Sequence, residues 1–249
     1  MTTILVTGGT GTLGTLVTDR LRARGHEVRV LSRHSGPYAV DLRQGGGAAL
    51  DGALDGAGAV VHCASGRRGD PEAARHLLAA ARRAGVEHLL YISIVGVDRV
   101  PFGYYRDKLA VERLVADSRV PWTVLRATQF HQLVLSMLRG LARPPVMLLP
   151  KGLRDQPVEV AEVADRLVEL AERPAAGRVP DMAGPEVREL PSLARSYLAA
   201  GGLRRRLVEV PLAGGAYRAF RAGAHLAPEH AVGRRTFEEF LEERVPDRG

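Results

Sequence analysis

The sequence predicts an α/β chain built on a doubly wound parallel sheet, with a smaller C-terminal α/β lobe. Three observations carry the prediction. Short apolar, β-branched runs alternate with helical patterns through the first half, the order that builds a parallel sheet covered on both faces. A glycine-rich loop, Gly8-Gly9-Thr10-Gly11-Thr12-Leu13-Gly14, separates the first apolar run from the first helical pattern. Beyond Pro144 the regular alternation gives way to short mixed elements broken by Pro and Gly.

The elements follow in order. Residues 3–7 read as the first strand, and residues 12–24 as a helix stopped by Gly25. Residues 28–31 form the second strand, 39–42 a weak third, and 48–55 one or two helical turns. AVVHCA at 59–64 is a strand. Asp70 as N-cap, Pro71 in the first turn and Gly85 just past the end punctuate the next helix. Residues 88–93 are a strand, 104–116 a helix and 122–126 a strand. In the C-terminal part, 156–160 is strand-like, 161–172 and 193–200 are helical, 207–210 is a short strand and 236–243 a helix. This divides the chain into a first domain at 1–143 and a lobe at 144–249, packed as one compact unit. No repeat or low-complexity linker separates them.

Composition narrows the function. With 249 residues and 45% hydrophobic content, the chain buries a full core. Its net charge of +7 comes from 33 arginines against two lysines, Lys108 and Lys151. That skew reads as coding bias of a GC-rich genome. The arginines are scattered and lack interleaved aromatics, so no nucleic-acid partner is expected. A lone Cys63 excludes an internal disulfide, and no Cys/His group has metal-ligand spacing, so no metal is expected. No apolar run is long enough to span a membrane. The N-terminus lacks a basic region ahead of its first strand, so a cytoplasmic location is expected.

The glycine loop carries the first chemical signal. In Gly8-x-x-Gly11-x-x-Gly14 the missing side chains let the backbone turn tightly and approach a pyrophosphate, which the helix N-terminus then stabilises. Strand, loop and helix arrive in the order a Rossmann-type dinucleotide site requires. Gly8, Thr10, Gly11, Thr12, Leu13 and Gly14 are therefore cofactor-binding candidates. The second strand ends Leu31-Ser32-Arg33, with no carboxylate for a ribose 2′-hydroxyl. Arg33, helped by Ser32, suits a 2′-phosphate, so NADP(H) is preferred and NAD(H) possible. Asp41 either faces the adenine amino group or is a solvated turn residue.

On these residues the chain resembles the short-chain dehydrogenase/reductase superfamily, in its extended or atypical branch with NmrA-like members. The resemblance runs through TGGTGTLG at 7–14, AVVHCAS at 59–65, YISIVGV at 91–97, YYRDK at 104–108 and WTVLRATQF at 122–130. QPVEVAEVAD at 156–165 and AGPEV at 183–187 are similar to the family's C-terminal lobe. The family uses a Tyr and a Lys four residues apart, which implies Tyr104 as acid/base and Lys108 as its partner and as a cofactor contact. Residues i and i+4 share a helical face, and a nearby ammonium would lower the phenol pKa. Ser93 is the hydroxyl implied for substrate orientation, although the chain has Ile94 where many relatives carry a further hydroxyl. Ala64 and Ser65 follow the fourth strand toward the ribose and nicotinamide. Thr128 joins the cofactor contacts, while Gln129, Phe130 and His131 wall the substrate pocket; His131 is either a wall residue or a second proton donor.

The resemblance implies an NADP(H)-dependent oxidoreductase acting on a small hydrophobic carbonyl, enone or quinone, as monomer or homodimer. The alternatives are a dinucleotide-binding redox sensor without turnover, or an epimerase or dehydratase that uses bound NAD(P).

Overall fold

The computed structural model describes residues 1–33, 36–66 and 69–244. Contacts divide the chain into two units that interleave along it instead of parting at residue 143. The first holds Met1–Ser93, Gly103–Arg126 and Ala161–Pro180; the second holds Ile94–Phe102, Ala127–Val160 and Asp181–Gly249.

The first unit carries the main sheet. Its strands are β1 (Thr3–Thr7), β2 (Glu27–Ser32), β3 (Tyr38–Ala39), β4 (Ala59–His62), β5 (His88–Ile94), β6 (Trp122–Ala127) and, late in the chain, β9 (Gly177–Arg178). Their order is β3-β2-β1-β4-β5-β6-β9 among the described residues. β1 runs parallel to β2, with Ile4 opposite Val28, and to β4, with Ile4 opposite Ala59. The chain order reverses direction beside β1, which leaves a crevice at the carboxyl ends of β1 and β4. The helices α1 (Thr12–Ala23), α2 (Gly47–Leu54), α3 (Asp70–Arg83), α4 (Gly103–Asp117) and α6 (Val160–Ala171) complete the alternation. Leu5, Leu31, Leu54, Val60, Leu77, Leu89 and Val111 meet in one core. That pattern follows from continuous apolar runs on strands covered on both faces.

Local chemistry moved three expected boundaries. The third strand stops at Ala39 because Asp41 accepts the Arg43 amide (3.1 Å) and starts a short 3₁₀ turn, Leu42–Gln44. Gly69, in the left-handed region at φ 85°, takes the N-cap of α3 in place of Asp70. The Asp70 carboxylate is instead turned back to the preceding loop. The expected strand at 156–160 contributes one bridge, Phe130 to Val158. Pro157 has no N–H to offer a ladder, and the Gln156 side chain bonds Gly184 and Ala227 backbone groups.

In the second unit the remaining elements are α5 (His131–Leu141), β7 (Val146–Pro150), β8 (Arg154–Asp155), β10 (Arg188–Glu189), α7 (Leu190–Ala200), β11 (Arg206–Val210), α8 (Gly215–Arg221) and α9 (Phe237–Arg244). β7 pairs in parallel with β11, and β8 antiparallel with β10. Leu138, Met147, Leu149, Leu193 and Phe240 form its core. Among the described residues no helix is long and apolar enough to cross a membrane, and no three His, Cys, Asp or Glu side chains are grouped to hold a metal.

Candidate active site

The glycine loop is held by contacts that only glycines allow. Gly8 sits at φ +67°, and a Cβ there would lie 2.7 Å from the backbone of Ala64; a Cβ on Gly14 would lie 2.2 Å from the Gly8 carbonyl oxygen. The Gly8 amide bonds Leu31 O (3.0 Å) and the Gly11 amide bonds Gly8 O (2.9 Å). Gly11 is the N-cap of α1 and offers no side-chain bond to the first-turn amides. Those donors therefore point from a tight, side-chain-free loop, the arrangement that suits a pyrophosphate. Thr12 opens α1 on its exposed side, and Leu13 is buried.

The loop lines a cavity of about 900 Å³ whose walls also include Ser32, Arg33, Asp41, Ala64 and Ser65, with Gly8, Thr10 and Gly11 from the loop itself. Arg33 is exposed and Ser32 buried. Asp41 is not free to turn toward a ligand. Arg43 holds it through Nε (3.0 Å) and Nη2 (2.5 Å), and this pairing lowers its carboxyl to about 2. Arg43, a further wall residue, was not singled out from the sequence. Its only sequence signal was its place two residues after Asp41.

α4 carries Tyr104 and Lys108, and Tyr104 reaches Ser65, a residue of the cavity wall. The Tyr104 hydroxyl lies 2.9 Å from Ser65 Oγ. Lys108 is 3% exposed; its Nζ donates to the Ile92 carbonyl (3.3 Å), 4.9 Å from the centre of the Tyr91 ring and 5.9 Å from that of Tyr104. This corrects one expectation. The ammonium does not lower the phenol; burial raises the Tyr104 pKa, Ser65 partly offsets it, and the Asp70 charge raises it further. Burial in turn lowers the Lys108 pKa, opposed by Asp70. Ser93 is 2% exposed and its hydroxyl has neither solvent nor a hydrogen-bond partner, as is true of the Tyr91 hydroxyl.

The strand below is electrically quiet. His62 bonds Thr7 Oγ1 (2.6 Å) and stacks on Tyr91, and desolvation, helped by Lys108, lowers its pKa to about 3. Burial raises the Cys63 thiol to about 12, so it is not a nucleophile at neutral pH. Asp70 was missed as a site residue: its Oδ2 accepts from Ser65 (2.8 Å) and its Oδ1 from the Gly66 amide (2.7 Å). From sequence it read as a helix cap, and only the backward fold of the loop exposes its other role.

The remaining expected site residues belong to the second unit. The Thr128 hydroxyl donates to Gln156 O (2.6 Å) and accepts from the Gly184 amide (3.3 Å), so it pins backbone there. Gln129 and Phe130 are half-buried and pair with Val158 through the backbone. His131, expected on a pocket wall, is completely buried, with its ring centre 5.1 Å from that of Phe240 and 5.7 Å from that of Phe237. Its Nε2 bonds the Arg235 carbonyl (3.1 Å), and burial lowers its pKa. It is an aromatic-core residue, placed inward by the turn that starts α5.

Residues 8–174 match the sequence pattern of the NAD(P)H-binding family. The chain belongs to the NAD(P)H-binding family. It is 35% identical over 172 residues to (4-alkanoyl-5-oxo-2,5-dihydrofuran-3-yl)methyl phosphate reductase of Streptomyces griseus, covering 65% of this chain and 59% of that protein. It is also 32% identical over 171 residues to an uncharacterized protein of Mycobacterium tuberculosis, of which it covers 19%. The chain thus spans less than two thirds of the length of these two relatives. Quinone oxidoreductase 2 of Escherichia coli is 26% identical over 216 residues, with 80% of this chain and 74% of that one covered. The structure of the Escherichia coli NADPH-dependent quinone oxidoreductase complexed with NADPH superposes with a TM-score of 0.81 over 97% of this chain and 99% of that one, at 20% identity. At that identity the likeness establishes the shared Rossmann-type fold.

Proposed function

We propose that this NAD(P)H-binding chain is an NADPH-dependent reductase of a small hydrophobic carbonyl, enone or quinone, with Tyr104 as proton donor. The observation that carries the reading is the Tyr104 hydroxyl hydrogen-bonded to Ser65, a residue of the cavity wall. A proton-bearing group thus stands at the edge of a cavity whose glycine loop suits a dinucleotide. When bound, the reduced nicotinamide supplies a hydride. Tyr104, kept protonated by its partly buried setting, gives its proton to the substrate oxygen. Lys108, buried with its Nζ on the Ile92 carbonyl and 5.9 Å from the centre of the Tyr104 ring, lines the same side of α4 without bonding the phenol oxygen.

The preference for NADPH rests on Arg33 in the wall and on Asp41, most of whose acceptor capacity Arg43 already takes. The names of the Streptomyces reductase and the Escherichia coli quinone oxidoreductase support the reaction class. The reading takes the chain as a cytoplasmic enzyme of small molecules, acting as monomer or homodimer.

The test is titration with NADPH and NADH by nicotinamide fluorescence, then a panel of quinones, enones and ketones followed by NADPH absorbance. Tyr104→Phe is expected to cut turnover by about 100-fold or more while cofactor affinity holds. Failure to bind either dinucleotide refutes the reading. A second reading, a dinucleotide-binding regulator without turnover, is favoured by the sealed Ser93 hydroxyl. It predicts tight binding with no panel member consumed, in the parent and in Tyr104→Phe alike.

A further inference from the structure

Tyr104 does not stand alone at the cavity edge. Its hydroxyl is 2.9 Å from Ser65 Oγ, Ser65 Oγ is 2.8 Å from Asp70 Oδ2, and Asp70 Oδ1 takes the Gly66 amide at 2.7 Å. Asp70 is 8% exposed, in the first turn of α3. A serine hydroxyl has one proton to give, and the Asp70 carboxylate is acceptor-only. Ser65 therefore donates to Asp70, and its oxygen accepts the Tyr104 O–H. The direction of the whole chain follows from the acid at its end.

We propose that Asp70 is a positioning residue for Tyr104: acting through the Ser65 hydroxyl, it sets the polarity of the hydrogen-bond chain so that the phenol is held with its proton on. The proposal rests on the reading of Tyr104 as proton donor for its consequence, but the chain itself is a property of the protein alone. When Tyr104 gives its proton to a substrate oxygen, the electron pair of the broken O–H bond stays on the phenolate. Ser65 then rotates its O–H from Asp70 to that phenolate, and solvent restores the proton. A single hydroxyl thus serves both states of the acid, as acceptor before transfer and as donor after it.

The charged and titratable groups around Tyr104 are Asp70 from α3, Lys108 from its own helix and Tyr91 from β5. Asp70 raises the phenol pKa through space, and Lys108, directed to the Ile92 carbonyl, does not bond the phenol oxygen. Arg43 also feels the Asp70 charge but is engaged with Asp41.

The discriminating variant is Asp70→Asn, which keeps the shape. Its amide oxygen still takes the Gly66 N–H, and its amide nitrogen then donates to Ser65. Ser65 then has no acidic acceptor to hold its proton away from the phenol and is able to turn its O–H to the Tyr104 oxygen, so the polarity that Asp70 imposes is lost. Tyr104 ionisation is read as ultraviolet tyrosinate absorbance in the cofactor-free protein, taking the difference from Tyr104→Phe in each background, with circular dichroism at every pH confirming the fold.

Asp70→Asn is expected to move that titration down by about one pH unit, the size of one hydrogen bond to a charged group. In a Ser65→Ala background the same substitution is expected to lose most of its effect. An unchanged titration in Asp70→Asn, or an undiminished shift without Ser65, overturns the proposal. If Asp70→Asn does not fold, Ser65→Ala replaces it: a displaced titration restored by Ser65→Thr supports the chain, and a titration identical to the parent overturns it. These outcomes need neither cofactor nor substrate, so they stand apart from failure of the reductase reading. Where turnover is found, the alkaline limb of kcat is expected to move with the titration.

Discussion

Replacing Gly14 by alanine is the sharpest perturbation of the dinucleotide site. The new methyl would lie 2.2 Å from the Gly8 carbonyl oxygen and 2.8 Å from both the Gly8 carbonyl carbon and the Gly9 Cα. All three are backbone atoms, so no side chain can swing aside. The gap must open by roughly 1 Å to reach normal contact. The loop cannot retreat inward. Gly8 is tied to Leu31 O at 3.0 Å, and the space beside its Cα is filled by Ala64 at 2.7 Å from where a Cβ would sit. It must bulge outward, into the space the pyrophosphate needs.

Overpacking of this kind costs about 1 to 3 kcal/mol, so urea denaturation is expected to show that loss. If the strain falls on the bound state, NADPH affinity drops by about 10- to 100-fold, measured by nicotinamide fluorescence. Gly52 is the control: it lies in α2, and a methyl group there would meet nothing within 4 Å, so Gly52→Ala gains about 0.5 to 1 kcal/mol and leaves NADPH binding unchanged. A folded Gly14→Ala protein that binds NADPH as tightly as the parent would falsify the cradle argument.

Three further outcomes follow from single contacts. Arg126 and Glu112 form a buried bidentate pair at 2.7 and 2.8 Å, so Glu112→Gln is expected to cost about 3 kcal/mol in urea unfolding, while Arg126→Met with Glu112→Leu recovers most of it. His225, whose Nε2 bonds the Arg154 carbonyl, has its pKa lowered by burial from 6.5 to about 4. The unfolded chain therefore takes up the proton first, so stability is full above about 6.5 and declines as pH falls toward 4. His225→Gln is expected to flatten that decline, and an identical pH profile would rule out His225 as its source. Under the proposed cofactor preference, Arg33→Ala weakens NADPH binding by about 10- to 100-fold and leaves NADH unchanged, because one charge-assisted contact to a phosphate is lost. Equal losses for both dinucleotides would remove Arg33 from the 2′-phosphate site.

Much of the fold was legible because its signals are local. The first strand was bounded correctly at Thr3 and Thr7, and α1 within one residue, since an apolar run and a glycine stop act over a few neighbours. The Gly8-Gly11-Gly14 spacing was legible for the same reason: each glycine answers a contact with its own loop or the adjoining strand. Legibility ended where a residue's partner is distant or where two roles compete. Asp70 looked like a cap because Pro71 follows it, but a left-handed Gly69 took that place and freed the carboxylate for Ser65 and Gly66. His131 follows a strand end that points toward a crevice in this class of fold, yet the start of α5 turns the ring onto Phe237 and Phe240. Lys108 has the spacing of an ammonium beside a phenol, but four residues of helix do not say how deep it lies.

By itself the sequence determined the alternation of strands and helices, the glycine loop and the family, because hydrophobic period, turn residues and backbone sterics are properties of short stretches of chain. The tertiary structure alone decided which side chains share an environment. It bound Asp41 to Arg43, buried Lys108 under the ring of Tyr91, sealed the Ser93 hydroxyl and joined Tyr104 to Asp70 through Ser65. Hydrogen-bond polarity and pKa depend on distances of a few ångströms and on the exclusion of water, and these arise only when segments far apart in sequence are brought together.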